Sequence, residues 1–305
     1  MISGAGDSQS SVVPVVVGAV LGEACRGVGL DAGGAELLRF GSNAVYRLGK
    51  APVIVRIAQG ASGMPDVERS VRVARWLAEE DLSATRALPG VRQPLLVGGH
   101  VVTFWESAQD REEYATVAEL ADLLRRLHGL AEPPFLGLPH YDPMPKVRES
   151  LRGLVCVSDD DRSYLEERAA RLGEEYGRLG FALPFGVIHG DANIGNVLRH
   201  RNGQAILSDL DGFALAPREW DLVLTAIYFD RYGWHTRSQY EEFARRYGFD
   251  IRNWAGYKVL GDLRELRMTL WMGRRAAANE QAAAEFAHRV ADIRSGDERH
   301  GWRPF

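Results

Sequence analysis

The stretch that decides the fold is Val187-Ile188-His189-Gly190-Asp191-Ala192-Asn193-Ile194-Gly195-Asn196, and it is followed closely by Leu207-Ser208-Asp209-Leu210-Asp211. In the first segment an apolar strand leads into a polar loop, where Asp191 and Asn196 lie five positions apart. In the second, Asp209 ends a run of β-forming residues 13 positions after Asn196. Hard oxygen ligands on rigid strand ends suit Mg²⁺, which takes one or two carboxylates together with waters and substrate phosphates. The pattern therefore predicts phosphoryl transfer, in which Asp191 deprotonates a hydroxyl while Asn196 and Asp209 hold the metal.

The residues before this stretch predict a twisted antiparallel sheet that carries one helix. Short runs of β-forming residues are separated by turn residues, and Gly98-Gly99 is a natural two-residue hairpin turn. Apolar residues at three- and four-residue spacing predict the helix. The predicted strands are Glu36–Phe40, Ala44–Leu48, Val53–Ala58, Leu95–Val97 and Val101–Trp105, and the helix is Asp66–Glu80.

Helical patterns dominate after residue 106. A Pro/Gly-rich loop is predicted over Pro133–Pro145, and a helix that includes Val12–Leu21 is predicted at the N-terminus. The chain is therefore predicted to be an α+β protein, with one domain at 1–106 and a second at 107–305. The later helices are predicted at Val117–Leu130, Asp161–Leu179, Trp220–Tyr232, Ser238–Tyr247, Tyr257–Ala278 and Glu280–Ile293.

The composition narrows the class of protein. The 305 residues are 46% apolar and 26% charged, as in ordinary globular proteins. No apolar run approaches the ~20 residues of a membrane span, and no signal peptide is expected. Cys25 and Cys156 make neither a disulfide framework nor a zinc motif, so we expect a cytoplasmic protein. A net charge of −4 argues against a nucleic-acid partner, and the sequence leaves the oligomeric state open.

Together with Pro217-Arg218-Glu219-Trp220-Asp221-Leu222, these motifs resemble the aminoglycoside phosphotransferase family. Choline kinases and other small-molecule kinases share its protein-kinase-like fold. The resemblance runs from about residue 35 to the end of the chain, and it implies a β-rich N-lobe and a helical C-lobe. It also implies that ATP or GTP is the phosphate donor, that Asp191 is the catalytic base, and that Asn196 and Asp209 bind Mg²⁺.

The same resemblance assigns supporting roles around the loop. His189 is expected to brace the loop, and Asp221 is expected to be a buried acceptor that anchors the loop backbone. Asp211 is either a second metal contact or a solvated residue.

The nucleotide is expected in the N-lobe, where kinases use a strand Lys and a helix Glu. Here Arg56 stands in place of the Lys, and 34 of the 37 basic residues in the chain are arginines. Arginine is always charged and forks well onto phosphate. Because Val55 and Ile57 flank it on the opposite face, Arg56 is predicted to contact phosphate, the alternative being a surface ion pair. Glu68, in the following helix, is its predicted partner.

Two further segments are predicted to touch the nucleotide. Ser42 and Asn43 lie in a loop without the Gly-x-Gly-x-x-Gly pattern, so they either donate to phosphate oxygens or simply form a hairpin turn. The backbone around Phe104 and Trp105 is predicted to face the base. Trp105 is either a wall for the purine or a core residue.

The resemblance to the aminoglycoside phosphotransferase family implies that the acceptor is a hydroxyl group of an antibiotic, which phosphorylation would inactivate. From Asp230 to Phe305 basic residues outnumber acidic ones by three, whereas a site for a polycation needs carboxylates. This balance disfavours an aminoglycoside and favours a nucleoside-type antibiotic, for which aromatic residues of the same region are suited. The candidate acceptor contacts are Asp230, His235, Asp262 and Glu265.

Other functions stay open at this point. A metabolite kinase acting on a sugar, a choline-like compound or an amino alcohol fits the same motifs. A silent nucleotide-binding module is disfavoured, because it would be expected to have lost Asp191, Asn196 or Asp209. A protein kinase is disfavoured because eight residues separate Asp211 from Trp220, too few for a regulatory loop. A metallophosphoesterase is disfavoured because the histidines lie in no metal-binding pattern.

Overall fold

The computed structural model describes residues 8–41, 43–58, 60–109, 113–155, 157–277, 279–296 and 299–303, with side chains from residue 17 onward. The described helices and strands follow in chain order: α1 (Ser8–Gly27), β1 (Glu36–Phe40), β2 (Asn43–Arg47), β3 (Val53–Ala58), α2 (Met64–Glu79), β4 (Leu95–Val97), β5 (His100–Glu106), α3 (Val117–Leu127), α4 (Pro143–Arg152), α5 (Asp159–Gly177), β6 (Phe185–Ile188), β7 (Val197–Arg199), β8 (Ala205–Leu207), β9 (Ala214–Pro217), α6 (Glu219–Asp230), α7 (Arg237–Tyr247), α8 (Tyr257–Arg275) and α9 (Glu280–Ser295). Among these residues no helix combines the length and the apolar character that crossing a bilayer requires.

The chain divides into two compact units. The first unit comprises Met1–Ala115, Pro134–Leu136 and Val197–Asp211, and the second comprises Thr116–Pro133, Gly137–Asn196 and Gly212–Phe305. The β7–β8 hairpin thus groups with the N-terminal sheet. The division of the chain at residue 106 stays a prediction.

The first unit is built on a five-stranded antiparallel sheet with the order β1-β2-β3-β5-β4. Strand β3 alternates between buried and half-buried residues, because successive side chains point to opposite faces of a sheet. On one face Val55 and Ile57 join a core that also includes Val17 and Leu21 of α1. The other face carries Arg56, as the alternation in the sequence predicts.

The hairpin of β7 and β8 brings the second acidic segment into the first unit. Leu207 exchanges backbone hydrogen bonds with the chain after α2: its N–H donates to the carbonyl of Ser83 (2.9 Å), and its carbonyl accepts from Thr85 (2.8 Å). Asp209 and Asp211 follow directly. The position of this short strand therefore decides where both carboxylates lie.

The second unit is helical around one short two-stranded sheet. Strands β6 and β9 pair antiparallel, with Ile188 opposite Ala214. Helix α6 follows β9 directly, and nine of its residues from Glu219 to Ile227 are buried. A helix that is apolar all round belongs in the interior, so the two acids at its start are buried with it.

Most predicted elements lie within a few residues of the observed ones, and one helix was missed. Helix α4 begins inside the stretch predicted to be a loop. Asp142 caps it by accepting from the N–H of Met144 (2.9 Å), and Pro143 occupies its first turn. Proline is tolerated there because the first N–H groups of a helix have no partner in the helix. Only the last three residues of the predicted loop therefore belong to helix α4, and the rest of the stretch forms no α-helix or strand.

Candidate active site

The polar loop of residues 189–196 leaves β6 through a backbone turn that only glycine allows. Gly190 has φ +85°, in the left-handed region. A Cβ added there would lie 2.2 Å from the carbonyl oxygen of Gly212. The two glycines lie just beyond the paired ends of β6 and β9, so the strands can hold the loop close only without side chains at these positions.

The carboxylate of Asp221 holds the start of this loop. It is fully buried, and its two oxygens accept from the backbone N–H groups of His189 (2.6 Å) and Gly190 (2.8 Å). The Nε2 atom of His128 lies 3.1 Å from the same carboxylate. Burial alone would raise the pKa of Asp221, but the hydrogen bond from His128 and the neighbouring histidines outweigh it, so the pKa lies below the ordinary value.

His189 and Trp220 hold the loop from two further sides. The His189 ring is fully buried beside Phe213, and its Nδ1 accepts from the N–H of Asp191 (3.3 Å). The indole N–H of Trp220 donates to the carbonyl of Gly190 (2.9 Å). The backbone of the loop is therefore bonded through both its N–H and its C=O groups.

Asp191 presents its carboxylate at the surface of this fixed backbone. Its side chain is 56% exposed. The amide nitrogens of Asn193 and Asn196 donate to its backbone carbonyl (3.0 and 2.8 Å) and lie 3.4 and 3.3 Å from its Oδ2. An exposed carboxylate on a rigid loop is what a general base requires, because it must reach the proton it accepts.

Arg264, which the sequence analysis did not single out, pairs with this carboxylate. Its Nη2 lies 3.1 Å from Oδ1 of Asp191, and its side chain is only 5% exposed. The guanidinium stacks on the Trp220 ring, 4.6 Å from its centroid. No local pattern could have revealed this contact, because 73 positions separate the two residues.

A second cluster of charged side chains lies in the first unit around Arg56. Its Nη2 donates to Oδ2 of Asp211 (2.7 Å) and lies 3.8 Å from Oδ1 of Asp209. The hydroxyl of Ser70 donates to the other oxygen of Asp211 (2.8 Å). Asp209 has φ +56°, a conformation uncommon for a residue with a side chain. Arg56, Asn43, Ser70 and Asp211 line one small cavity of this unit.

Glu68 does not form the predicted pair with Arg56. Both residues are described, and Arg56 pairs with Asp211 instead, while Glu68 lies exposed on α2. The reason is helical phase: Ser70, two positions later, faces the charged cluster, and two positions turn a helix by about 200°. Glu68 therefore points to the other side of α2.

The structure gives different outcomes for the other residues that were predicted to contact the nucleotide. Ser42 lies outside the described residues, and Asn43 begins β2 opposite Ala58. The Phe104 backbone does not face an open site, because its N–H donates to Oε1 of Gln93 (2.7 Å) and its carbonyl accepts from Gln93 and Leu88. Trp105 is buried, with its indole N–H on the hydroxyl of Thr103 (2.9 Å). Trp105 also lines the cavity that Arg56 and Asp211 line, so both alternatives for this residue stay open.

Two of the four candidate acceptor contacts are tied up in a buried ion-pair network. Nη1 of Arg231 lies 2.8 Å from Asp262 and 2.7 Å from Glu265, and the Glu265 side chain is fully buried. Lys258 also pairs with Asp262 (2.8 Å). Neither carboxylate is open to a ligand in this structure, because the basic residues that gave the segment its positive balance neutralise them.

The other two candidates are more accessible. Asp230 is exposed and accepts from the hydroxyl of Tyr257 (3.1 Å). His235 is half-buried, with its ring 5.7 Å from that of Tyr228, and burial lowers its pKa. Burial raises the pKa of Tyr228 to about 12, with Arg264 and Asp191 acting on it in opposite directions. Tyr228 thus lies within electrostatic reach of the Arg264–Asp191 pair.

The chemistry of the predicted metal ligands fits Mg²⁺. Asp209 and Asp211 are about half exposed, and Asn196 turns its amide nitrogen toward Asp191. Two carboxylates and an amide oxygen are hard ligands that leave room for waters and phosphates. Among the described residues no group of three or more His, Cys, Asp or Glu is placed so that it could hold a metal ion.

Comparison with known proteins gives a family match and several similar folds. The profile of the phosphotransferase enzyme family (APH) matches residues 37–260. None of the curated proteins compared with the chain matches it.

Three solved structures illustrate the structural likeness. An amicoumacin kinase, hAmiN, in complex with AMP-PNP, Ca²⁺ and Ami is 14% identical, covers 97% of this chain and 96% of its own, and has a TM-score of 0.69. The GDP and kanamycin complex of APH(2")-IIia is 14% identical over 91% and 98%, with a TM-score of 0.65. A choline/ethanolamine kinase family protein from Mesorhizobium loti is 18% identical over 92% and 94%, with a TM-score of 0.62. The fold is thus protein-kinase-like, with an antiparallel β-rich N-lobe and a helical C-lobe.

Proposed function

The chain belongs to the phosphotransferase enzyme family, and we propose that it transfers the γ-phosphate of ATP or GTP, with Mg²⁺, to a hydroxyl group of an antibiotic. Membership of the family makes it a phosphotransferase that acts on a hydroxyl group of a small molecule. The donor, the metal and the antibiotic are the proposed part.

The observation that carries the proposal is the Asp191 carboxylate, half exposed on a loop whose backbone is bonded on all sides. A general base must be fixed and reachable at once, and a surface aspartate on an ordinary turn is not fixed. A silent binding module has no need of this arrangement. The bonds made by Asp221, His189 and Trp220 therefore favour an enzyme.

The proposed roles follow from the chemistry of each group. Asp191 accepts the proton of the acceptor hydroxyl as its oxygen attacks phosphorus. Asn196, Asp209 and Asp211 are the residues that would hold Mg²⁺, and the ion would supply positive charge to neutralise the phosphates. Arg56 binds donor phosphates: a guanidinium has five N–H donors, so its contact with Asp211 leaves donors for phosphate oxygens.

The charges around the loop favour an acceptor of low positive charge. Two of the three candidate carboxylates, Asp262 and Glu265, are paired with Arg231 and Lys258, and Arg264 adds a cation beside Asp191. A polycation would meet repulsion there. The amicoumacin, spectinomycin and kanamycin named in the similar structures mark the range of antibiotics to test.

The test is a γ-phosphate transfer assay with Mg²⁺ that offers ATP and GTP in parallel. The acceptor panel holds aminoglycosides, spectinomycin, nucleoside and peptide antibiotics, sugars and choline. Asp191→Ala is the inactive variant, and Asp159→Ala, an exposed acid in the first turn of α5, is the matched control.

Each result has a distinct meaning. Label on an antibiotic, lost in Asp191→Ala and kept in Asp159→Ala, supports the proposal. Label on choline or a sugar alone replaces it with a metabolite kinase. Nucleotide binding without any transfer favours the silent module.

A further inference from the structure

The contact between Arg264 and Asp191 has no assigned role in the proposed reaction. Arg264 lies on α8, and among the described side chains Asp191 is the carboxylate that pairs with it. The asymmetry of the pair is informative: the guanidinium is buried, whereas the carboxylate is half exposed. A buried cation is costly without a partner, so the arginine is kept where it can reach this one oxygen.

The guanidinium is held in place by groups that also hold the loop. It stacks on Trp220, whose indole N–H bonds the carbonyl of Gly190, and its own Nη1 lies 3.5 Å from that carbonyl. The Arg264 guanidinium therefore contacts the loop backbone and the Asp191 side chain at the same time. A lysine ammonium, a point charge without a planar fork, cannot reproduce this geometry.

The two oxygens of Asp191 are not equivalent in this arrangement. Oδ1 is 3.1 Å from Nη2 of Arg264. Among the described residues, Oδ2 has only long contacts, at 3.3 and 3.4 Å, with the amides of Asn196 and Asn193. The oxygen with the weaker partners is the better proton acceptor for a substrate hydroxyl.

We propose that Arg264 is a positioning residue for phosphoryl transfer: it holds Oδ1 of Asp191 and so presents Oδ2 to the acceptor hydroxyl. This inference rests on the proposed function, because it needs Asp191 to be the base. The proton of the hydroxyl passes to Oδ2 while the hydroxyl oxygen bonds to phosphorus and the bond to the nucleoside diphosphate breaks. Arg264 touches neither phosphate nor acceptor in this scheme.

Arg267 provides a matched control three positions along the same helix. Its guanidinium also lies over the Trp220 ring, 5.3 Å from the centroid, and over Tyr141 at 5.5 Å. No described carboxylate pairs with it, and burial lowers its pKa to about 10. Arg267→Ala removes the same volume and a similar stacking contact without touching Asp191.

The first experiment measures phosphate release from Mg·ATP and Mg·GTP with water as acceptor, for wild type, Arg264→Ala, Arg264→Lys and Arg267→Ala. Misplacing a reacting group by about 1 Å costs on the order of 100-fold in rate. We expect Arg264→Ala to lose about 10- to 100-fold in kcat with the nucleotide KM unchanged. Arg264→Lys should recover part of this loss, and added guanidinium at millimolar concentration should partly restore Arg264→Ala. Equal losses in Arg264→Ala and Arg267→Ala, or a change in KM alone, would overturn the inference.

The second experiment measures the contact without any turnover. Urea unfolding of Arg264→Ala, Asp191→Ala and the double variant forms a mutant cycle. Effects that are not additive support the contact, and additive effects overturn it. If the proposed function is wrong, the result is a different one. Asp191→Asn would then keep wild-type turnover, even though the mutant cycle shows coupling between Arg264 and Asp191.

Discussion

Replacing Asp221 by asparagine should release the polar loop without changing the volume of the side chain. In the wild type one carboxylate oxygen accepts from the N–H of His189 (2.6 Å), and the other accepts from the N–H of Gly190 (2.8 Å). An asparagine has only one side-chain oxygen. Its NH₂ group must then face a backbone N–H, so one hydrogen bond becomes a contact between two donors. The loop keeps its sequence but loses one of the two backbone hydrogen bonds that the Asp221 side chain accepts.

The magnitude follows from this count of hydrogen bonds. A hydrogen bond to a buried charged group contributes about 1.5–3 kcal/mol, and leaving a buried N–H without a partner adds to the loss. We expect a loss of about 3 kcal/mol in the free energy of unfolding. At about 2.1 cal/mol/K per residue, 305 residues have an unfolding entropy near 0.6 kcal/mol/K, which converts this loss to about 5 °C in Tm. Turnover should fall on the order of 100-fold, because Asp191 is displaced.

The assay is thermal unfolding together with phosphate transfer, and Glu219→Gln is its matched control. Glu219 is also buried at the start of α6. There the N–H groups of Ala182 (2.6 Å) and Leu183 (2.7 Å) both donate to the same carboxylate oxygen, Oε1. A glutamine oxygen can accept both, so Glu219→Gln should keep turnover and lose less stability. Equal losses of Tm and turnover in the two variants would refute the argument that two separate oxygens are required.

Acid pH offers an independent check on the same carboxylate. Its folded-state pKa is below the ordinary value of 3.8, so the ionised form contributes stability above that value and the contribution is lost as pH falls through the folded pKa. Other acids lose stability in acid as well, so the informative quantity is the difference in Tm between wild type and Asp221→Asn. This difference should shrink from about pH 6 to about pH 3. A difference that is constant over this range would contradict the assignment.

Five further substitutions test the loop backbone and the charged cluster of the first unit. Gly190→Ala and Gly203→Ala impose the same strain, since φ is +85° and +86°, but only the first places a Cβ against a backbone carbonyl. Thermal unfolding should therefore show a loss of about 1–2 kcal/mol for Gly203→Ala and at least twice that for Gly190→Ala. Arg56→Ala should raise the nucleotide KM at least tenfold, since a charged hydrogen bond is worth about 1.5–3 kcal/mol, and leave the acceptor KM unchanged. Glu68→Gln should change neither constant, because its carboxylate has no described partner, and an effect equal to that of Arg56→Ala would restore the predicted pair. Ser70→Ala removes a hydroxyl from Asp211 and should raise the nucleotide KM less than Arg56→Ala does, as measured by phosphate release.

The fold could be predicted because its signals are local. Asp191, Asn196 and Asp209 recur at fixed intervals along the chain, and strand alternation put Arg56 on the face opposite Val55. Where local signals conflicted, the prediction missed an element: the end of a proline-rich stretch predicted to be a loop starts helix α4 at Pro143.

The contacts of the candidate site could not be predicted, because they join distant positions. Ser70 meets Asp211 across 141 positions, and Arg264 meets Asp191 across 73. Glu68 was a reasonable partner for Arg56 by order along the chain, but the phase of α2 decides which side chain faces the strand. The net charge of a segment also says nothing about ion pairing. The count of charges showed that residues 230–305 are basic, but it could not reveal that Glu265 is already paired with Arg231.

Arginine content is a poor guide to function in this chain, and the surroundings of each ion pair are a better one. Arg231 pairs with Glu265, which is fully buried, so neither charge can meet a ligand and the pair serves packing. Arg56 and Arg264 pair with carboxylates that are 45% and 56% exposed. A protein gains little stability from fixing an exposed acid, because water already solvates it. Fixing it is useful when a ligand must find it in one orientation. Several other arginines also pair with exposed acids, but these two pairs hold the carboxylates of the candidate site, and we connect them to phosphate binding and to the base.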